Sequence, residues 1–90
     1  ALTYGAMMGR TTMEKSFRTK FKEFAKAAYP ILMRMRNGED SVLDRYAATN
    51  FHEFWAVSVE TFFEKPLLLK TCEPALYGAL CQLLNQDPLE

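Results

Sequence analysis

The chain has 90 residues, of which 49% are hydrophobic and seven are Phe, and this composition predicts one small folded domain and excludes disorder. It contains no run of 18 apolar residues, which excludes a membrane-spanning helix, and no signal peptide is expected at its start. Two Cys and one His exclude a disulfide framework and a self-contained zinc site built from the usual Cys and His ligands.

The net charge is zero, but it is unevenly distributed along the chain. Residues 1–38 hold eight Lys and Arg against two Glu, whereas residues 39–90 hold three basic against nine acidic side chains. The two halves can therefore attract each other in the folded chain, or the basic half can face an acidic partner.

The first part of the chain predicts a loop followed by a helix. Residues 1–10 contain two Gly without a clear period, which favours a loop or a frayed end. Thr11 and Glu14 have the spacing of a capping box and predict a helix over 11–36. Pro30 predicts a kink in this segment or the start of a short second helix. Apolar residues recur at helical spacing on one face: Met13, Phe17, Phe21, Phe24 and Ala28.

A basic stripe follows the same predicted helix and consists of Lys15, Arg18, Lys22 and Lys26. Such a stripe can bind nucleic acid or a membrane surface, or it can be an ordinary solvated helix face. No Gly-rich or aromatic recognition motif accompanies it, which favours the solvated face. We therefore expect neither nucleic acid nor a membrane as a partner.

The second part of the chain predicts a connector and further helices. Residues 37–49 are predicted to be a connector with one helical turn around 42–46. Asn50 is a helix-capping residue with Glu53 three positions later, which predicts a helix over 50–64. Residues 66–86 are predicted to form the C-terminal helices, opened by Pro residues. No segment alternates like a strand, so the sequence predicts a single all-α domain of about four helices.

Glu53 and Glu60 are the paired carboxylates of the chain, seven residues apart on one helix face. Carboxylates at this spacing can bind a metal or perform acid–base chemistry. Glu53 can equally be a helix-capping residue and Glu60 a solvated surface residue. The spacing alone leaves both interpretations open.

Four sequence blocks resemble one family. Residues 46–57 read Tyr-Ala-Ala-Thr-Asn-Phe-His-Glu-Phe-Trp-Ala-Val, and residues 60–66 continue with Glu-Thr-Phe-Phe-Glu-Lys-Pro. Pro-Ala-Leu-Tyr at 74–77 and Gln-Asp-Pro at 86–88 complete the series. In this order and spacing, over about residues 44–88, they resemble the Mlc titration factor A family of zinc metallopeptidases. The Tyr-to-Glu spacing is also similar to that of anthrax lethal factor, a more distant relative.

The resemblance implies roles for particular residues. Family members are gluzincin-like bacterial peptidases of the cytoplasm, with two zinc ligands and the general base on a His-Glu-x-x-His helix. Glu53 aligns with the third zinc ligand, and Tyr46 aligns with the Tyr that stabilises the oxyanion. Glu60 is a candidate for a residue that contacts a zinc ligand without binding the zinc itself. The resemblance implies a peptide or protein substrate and, in enterobacteria, binding of the glucose repressor Mlc.

This chain departs from the family pattern in one important respect. Ala56 stands where a second His would complete a His-Glu-x-x-His motif after His52, and the motif occurs nowhere else in the chain. We therefore expect the chain to be the C-terminal part of such a peptidase and to be inactive alone. Zinc is expected in the intact protein and not in this chain alone, and His52 is expected to have no ligand role. The alternative is a non-catalytic helical module that binds a transcriptional regulator.

Overall fold

The computed structural model describes the backbone from Leu2 to Glu90 and the side chains from Ser16 onward. Residues 2–90 form four α-helices and one 3₁₀ helix and contain no strand, which confirms the predicted all-α fold. The elements in chain order are α1 (Leu2–Arg36), the 3₁₀ helix (Arg45–Ala48), α2 (Phe51–Glu64), α3 (Pro66–Cys72) and α4 (Pro74–Leu84).

Helix α1 begins at Leu2. The structure therefore differs from the prediction of a loop over residues 1–10 and a helix start at Thr11. Gly5 and Gly9 are each less favourable in a helix than Ala by roughly 1 kcal/mol, but extending an existing helix requires no new nucleus. Ala and Met, both good helix formers, separate the two glycines. The 35-residue helix is about 52 Å long, and the longest dimension of the molecule is 54 Å.

The same helix continues through Pro30 without a break in its helical assignment. Pro30 has no backbone N–H and therefore cannot donate to the carbonyl four residues earlier, a defect that costs about 3 kcal/mol in a helix interior. Ala28, Ile31 and Leu32 on either side of it are buried. Burial of these side chains offsets the defect, so the predicted second short helix does not form.

The core lies where α1 crosses α4 and the 3₁₀ helix and where α2 packs on the 3₁₀ helix and α3. From the predicted apolar face of α1, Phe24 and Ala28 are buried, Phe21 is half-buried and Phe17 is exposed, while the side chain of Met13 lies outside the described residues. The larger buried apolar side chains are Phe24, Ile31, Leu32, Leu43, Phe54, Val57, Phe62, Leu69, Leu76, Tyr77, Leu80 and Leu83.

An ion pair joins the basic and acidic parts of the chain. Arg34 Nη2 donates to both carboxylate oxygens of Glu73, at 2.9 and 3.3 Å. Arg34 lies in the last turn of α1, and Glu73 is the residue between α3 and α4. The pair is partly exposed, and such pairs contribute about 1 kcal/mol or less to stability. It fixes where the end of α1 meets the turn between the C-terminal helices.

Ser58 is a buried polar residue of α2, and its hydroxyl has no hydrogen-bond partner in the described part of the chain. An unpaired buried hydroxyl lowers stability by about 1–3 kcal/mol. Ser58→Ala is therefore expected to raise the free energy of unfolding by roughly 1 kcal/mol. Urea denaturation of the 90-residue chain at neutral pH measures the change.

Thr61, one turn later on the same helix, provides the matched control. Its buried hydroxyl donates to the Val57 carbonyl at 2.8 Å. Thr61→Val removes a satisfied bond and should lower the free energy of unfolding by about 1 kcal/mol. Equal destabilisation by the two substitutions would contradict the assignment of Ser58 as an unpaired group.

Candidate functional site

Tyr46 lies in the 3₁₀ helix, and its backbone is fixed at both polar groups. Its N–H donates to Asp44 Oδ1 at 2.9 Å, and its carbonyl accepts from the Thr49 N–H at 3.1 Å. The next residue, Ala47, is fully buried in the core. The Tyr46 side chain is 58% exposed, and no described side chain hydrogen-bonds its hydroxyl. Its phenol is therefore available to an external acceptor.

Glu53 lies in the first turn of α2, where Asn50 is the N-cap. The Asn50 side chain accepts from the Glu53 N–H at 2.8 Å. Among the residues whose side chains are described, none donates a hydrogen bond to the Glu53 carboxylate or forms an ion pair with it. The return bond of a capping box, from the Asn50 N–H to this carboxylate, is thus not made. The carboxylate of half-buried Glu53 thus has no partner among the described side chains.

The 3₁₀ helix packs directly on α2, so Tyr46 and Glu53 lie on neighbouring elements. A hollow of about 260 Å³ lies beside the 3₁₀ helix. Neither Tyr46 nor Glu53 lines this hollow. Its lining comes from the end of α1, the connector and the 3₁₀ helix: Met35, Arg36, Gly38, Glu39, Asp40, Ser41, Leu43, Arg45 and Ala48.

Glu60 and His52 differ from Glu53 in position and surroundings. Glu60 is exposed and lies two turns along α2, about 10 Å from Glu53 along the helix axis. That separation is too large for both carboxylates to bind one ion directly. His52 is exposed and points about 100° away from Glu53 around the helix.

The titratable groups do not form a complete metal site in the described part of the chain. Across residues 16–90, no three His, Cys, Asp or Glu side chains lie together as potential metal ligands. Cys72 is exposed, Cys81 is half-buried, and both are free thiols. The described residues therefore do not supply the three protein ligands that a catalytic zinc site requires.

The groups with shifted pKa values are Tyr77 and Cys81 in α4 and Asp87, which follows α4. The Tyr77 hydroxyl donates to Asp87 Oδ1, which also accepts from the Leu89 N–H at 3.1 Å. This bond lowers the pKa of Asp87, while burial and the bond to Asp87 raise the pKa of Tyr77. Burial and the nearby Asp87 charge raise the pKa of the Cys81 thiol, which keeps it protonated and unreactive.

Sequence reasoning missed this contact, although it had singled out both of its ends. Tyr77 closes the Pro-Ala-Leu-Tyr block, and Asp87 lies within the Gln-Asp-Pro block. The structure joins the two blocks across the end of α4, where Asn85 adopts the left-handed conformation that turns the chain back. The Lys70 ammonium lies 5.7 Å from the Tyr77 ring centroid. The cluster ties the last residues of the chain to the core.

None of the helices in the described part of the chain combines the length and the apolar content needed to cross a membrane.

Comparison with known proteins identifies the family. The model of the family described as glucose-regulated metallo-peptidase M90 matches residues 4–84, so the chain belongs to this family. The match also extends to α1, upstream of the blocks from which the resemblance was recognised.

Proteins named Mlc titration factor A from Yersinia pestis and Yersinia pseudotuberculosis are similar to this chain. They are 45% identical to it over 51 residues, which is 57% of this chain and 19% of each relative. The matched part of the chain thus spans about a fifth of the length of these relatives. No solved structure matches the chain.

The bond between Tyr77 and Asp87 predicts a pH-dependent contribution to stability. Because the bond lowers the pKa of Asp87 in the folded state, its contribution is present above the ordinary Asp pKa of about 3.9. It is lost as the pH falls through the lowered folded pKa. Tyr77→Phe should therefore reduce the free energy of unfolding at pH 7, and the difference from wild type should shrink in acid. Urea denaturation at pH 7 and pH 3 measures this.

Tyr29→Phe is the matched control, because Tyr29 is an exposed tyrosine on α1. It should change stability little at either pH. A Tyr77→Phe loss of the same size at both pH values would show that the Asp87 charge has no part in the contact.

Zinc titration of the 90-residue chain should give no tight, stoichiometric binding. One free carboxylate cannot replace the three protein ligands of a catalytic zinc. Calorimetry of the wild-type chain and of Glu53→Gln should give the same weak isotherm. A tight site with one zinc per chain would contradict the ligand set inferred from the sequence.

Proposed function

We propose that this chain is the C-terminal part of a zinc-dependent, gluzincin-like metallopeptidase, in which Glu53 is the third zinc ligand and Tyr46 stabilises the oxyanion. The intact protein in this proposal is this chain together with an upstream segment that carries the His-Glu-x-x-His helix. The main observation behind this proposal is that Tyr46 and Glu53 lie on two elements that pack together. The Tyr46 hydroxyl and the Glu53 carboxylate have no hydrogen-bond partner among the described side chains. Family membership supports the metallopeptidase class.

In this proposal each residue acts through its ordinary chemistry. A bound zinc ion supplies Lewis acidity toward water and the peptide carbonyl. The Glu53 carboxylate contributes one anionic ligand from the first turn of α2. The Tyr46 hydroxyl donates a hydrogen bond to the carbonyl oxygen of the substrate as negative charge develops on it. Glu60, too distant to share the ion, accepts a hydrogen bond from an imidazole that holds the metal.

The substrate is a peptide or protein, and the partner that completes the site is the upstream segment of the same protein. We also propose a cytoplasmic location, which the family resemblance implies. The free thiols of Cys72 and Cys81 are compatible with a reducing compartment.

A second candidate is a non-catalytic helical module that binds a transcriptional regulator. An aromatic surface of Phe17, Phe21, Phe51 and Trp55 favours it, because Phe17 and Phe51 are exposed and neighbouring ring centroids lie about 6 Å apart. The Mlc in the name of the Yersinia relatives is consistent with a regulator as partner. The encoded upstream sequence discriminates the two candidates, since His-Glu-x-x-His is required only for the peptidase.

Substitutions in the intact protein test the peptidase. Glu53→Gln should weaken zinc affinity and abolish peptide hydrolysis, because a neutral amide is a poorer ligand for the cation. Tyr46→Phe should leave zinc bound and lower kcat by about 10²–10³, the usual effect of losing an oxyanion donor. Zinc content and hydrolysis of a chromogenic peptide measure the two effects separately.

His52→Ala is the control, since His52 is exposed and is assigned no ligand role. It should retain both zinc and activity. Full activity in Glu53→Gln and Tyr46→Phe, together with loss in His52→Ala, would show that the residue assignments are wrong.

A further inference from the structure

Two side chains outside the proposed ligand set bind the backbone of the two proposed functional residues. Asp44 accepts from the N–H of Tyr46 itself, at 2.9 Å. Asn50 accepts from the N–H of Glu53 itself, at 2.8 Å. Each is the N-cap of the element that carries the functional residue. The two caps therefore act at the functional residues and not elsewhere in the first turn.

Each functional residue is also followed immediately by a buried anchor. Ala47 follows Tyr46, Phe54 follows Glu53, and both anchors are fully buried. The cap carbonyls complete the arrangement: Asp44 O accepts from the Ala47 N–H at 2.9 Å, and Asn50 O accepts from the Phe54 N–H at 2.9 Å. Each cap residue thus holds a functional residue through its side chain and the adjoining anchor through its backbone.

We infer that Asp44 and Asn50 are positioning residues of the metallopeptidase site, Asp44 for the Tyr46 hydroxyl and Asn50 for the Glu53 carboxylate; this rests on the proposed function. The backbone N–H of each functional residue lies next to the N–Cα bond, whose torsion φ sets the direction of the Cα–Cβ bond. A hydrogen bond there restricts the direction in which the side chain leaves the backbone. The anchor on the next residue prevents the element from turning about its axis.

The chemical difference between the two caps suits their positions. Asn50 is neutral, so it caps α2 without placing a second carboxylate next to the Glu53 ligand. Asp44 is charged, and a charged acceptor makes a stronger bond to a backbone N–H than a neutral one. The 3₁₀ helix has only four residues, so this one bond secures a large part of it.

In the intact protein, removal of each cap should affect a different property: zinc affinity for Asn50 and kcat for Asp44. Asn50→Ala should weaken zinc affinity, measured by chelator competition, roughly tenfold, the lower end of the effect of removing a residue that orients a ligand. Asp44→Ala should leave zinc affinity unchanged and lower kcat, also roughly tenfold. Asn50→Ser and Asp44→Asn retain a capping oxygen and should restore the wild-type values.

Ser41→Ala is the matched control, because Ser41 Oγ accepts from the Leu43 N–H at 3.2 Å in the same connector. It removes the same kind of bond from a residue outside the proposed site. It should lower thermal stability without changing zinc affinity or kcat. All measurements are made well below the unfolding temperature of each variant.

Three outcomes decide the matter. Separate effects on zinc affinity and on kcat, with rescue by the conservative variants, support the inference. If the wild type binds zinc and hydrolyses peptide but both Ala variants resemble Ser41→Ala, the inference is overturned and the proposed function stands. If the intact wild type neither binds zinc nor hydrolyses peptide, the proposed function fails and the inference fails with it.

Discussion

The Phe24 side chain has no exposed surface, and from α1 it packs against three aromatic rings at the start of α2. Its ring centroid lies 5.1 Å from Trp55, 6.0 Å from Phe51 and 6.3 Å from Phe54. Glu53 lies within this run of aromatic residues. Its place relative to α1 therefore depends on apolar packing that involves none of the charges of the candidate site. Without the Phe24 contact, Asn50 would cap a helix that had lost its aromatic packing against α1.

Polar interactions in this small domain serve two purposes at separate places. Around Tyr77 and Asp87 a buried hydroxyl and a carboxylate satisfy each other, and the resulting pKa shifts mark a structural contact. In Tyr46 and Glu53, by contrast, the backbone N–H groups are hydrogen-bonded. The Tyr46 hydroxyl and the Glu53 carboxylate have no hydrogen-bond partner among the described side chains. Shifted pKa values usually point toward functional sites, but here they point away from the proposed one. The unsatisfied polar ends are the more informative signal.

The sequence predicts those features that depend on local chemistry. The all-α class follows from apolar spacing, and the predicted helix over 50–64 corresponds to α2, where Asn50 caps the first turn. Features that depend on packing could not be predicted. Sequence rules for Pro predict a break at Pro30, because they do not include the burial of the neighbouring side chains that stabilises α1. The Tyr77–Asp87 bond is equally hidden, since it requires the chain to reverse at Asn85. The relation of Tyr46 to Glu53 came from family resemblance and not from periodicity.

Anomalous X-ray diffraction at the zinc edge, from crystals of the intact protein, tests directly whether Glu53 is a zinc ligand. The anomalous peak locates the ion independently of any assumed ligand set. We expect a Glu53 carboxylate oxygen about 2.0–2.2 Å from the peak, the usual zinc–carboxylate distance. A zinc ion fully coordinated by other residues, with the Glu53 side chain in solvent, would contradict it.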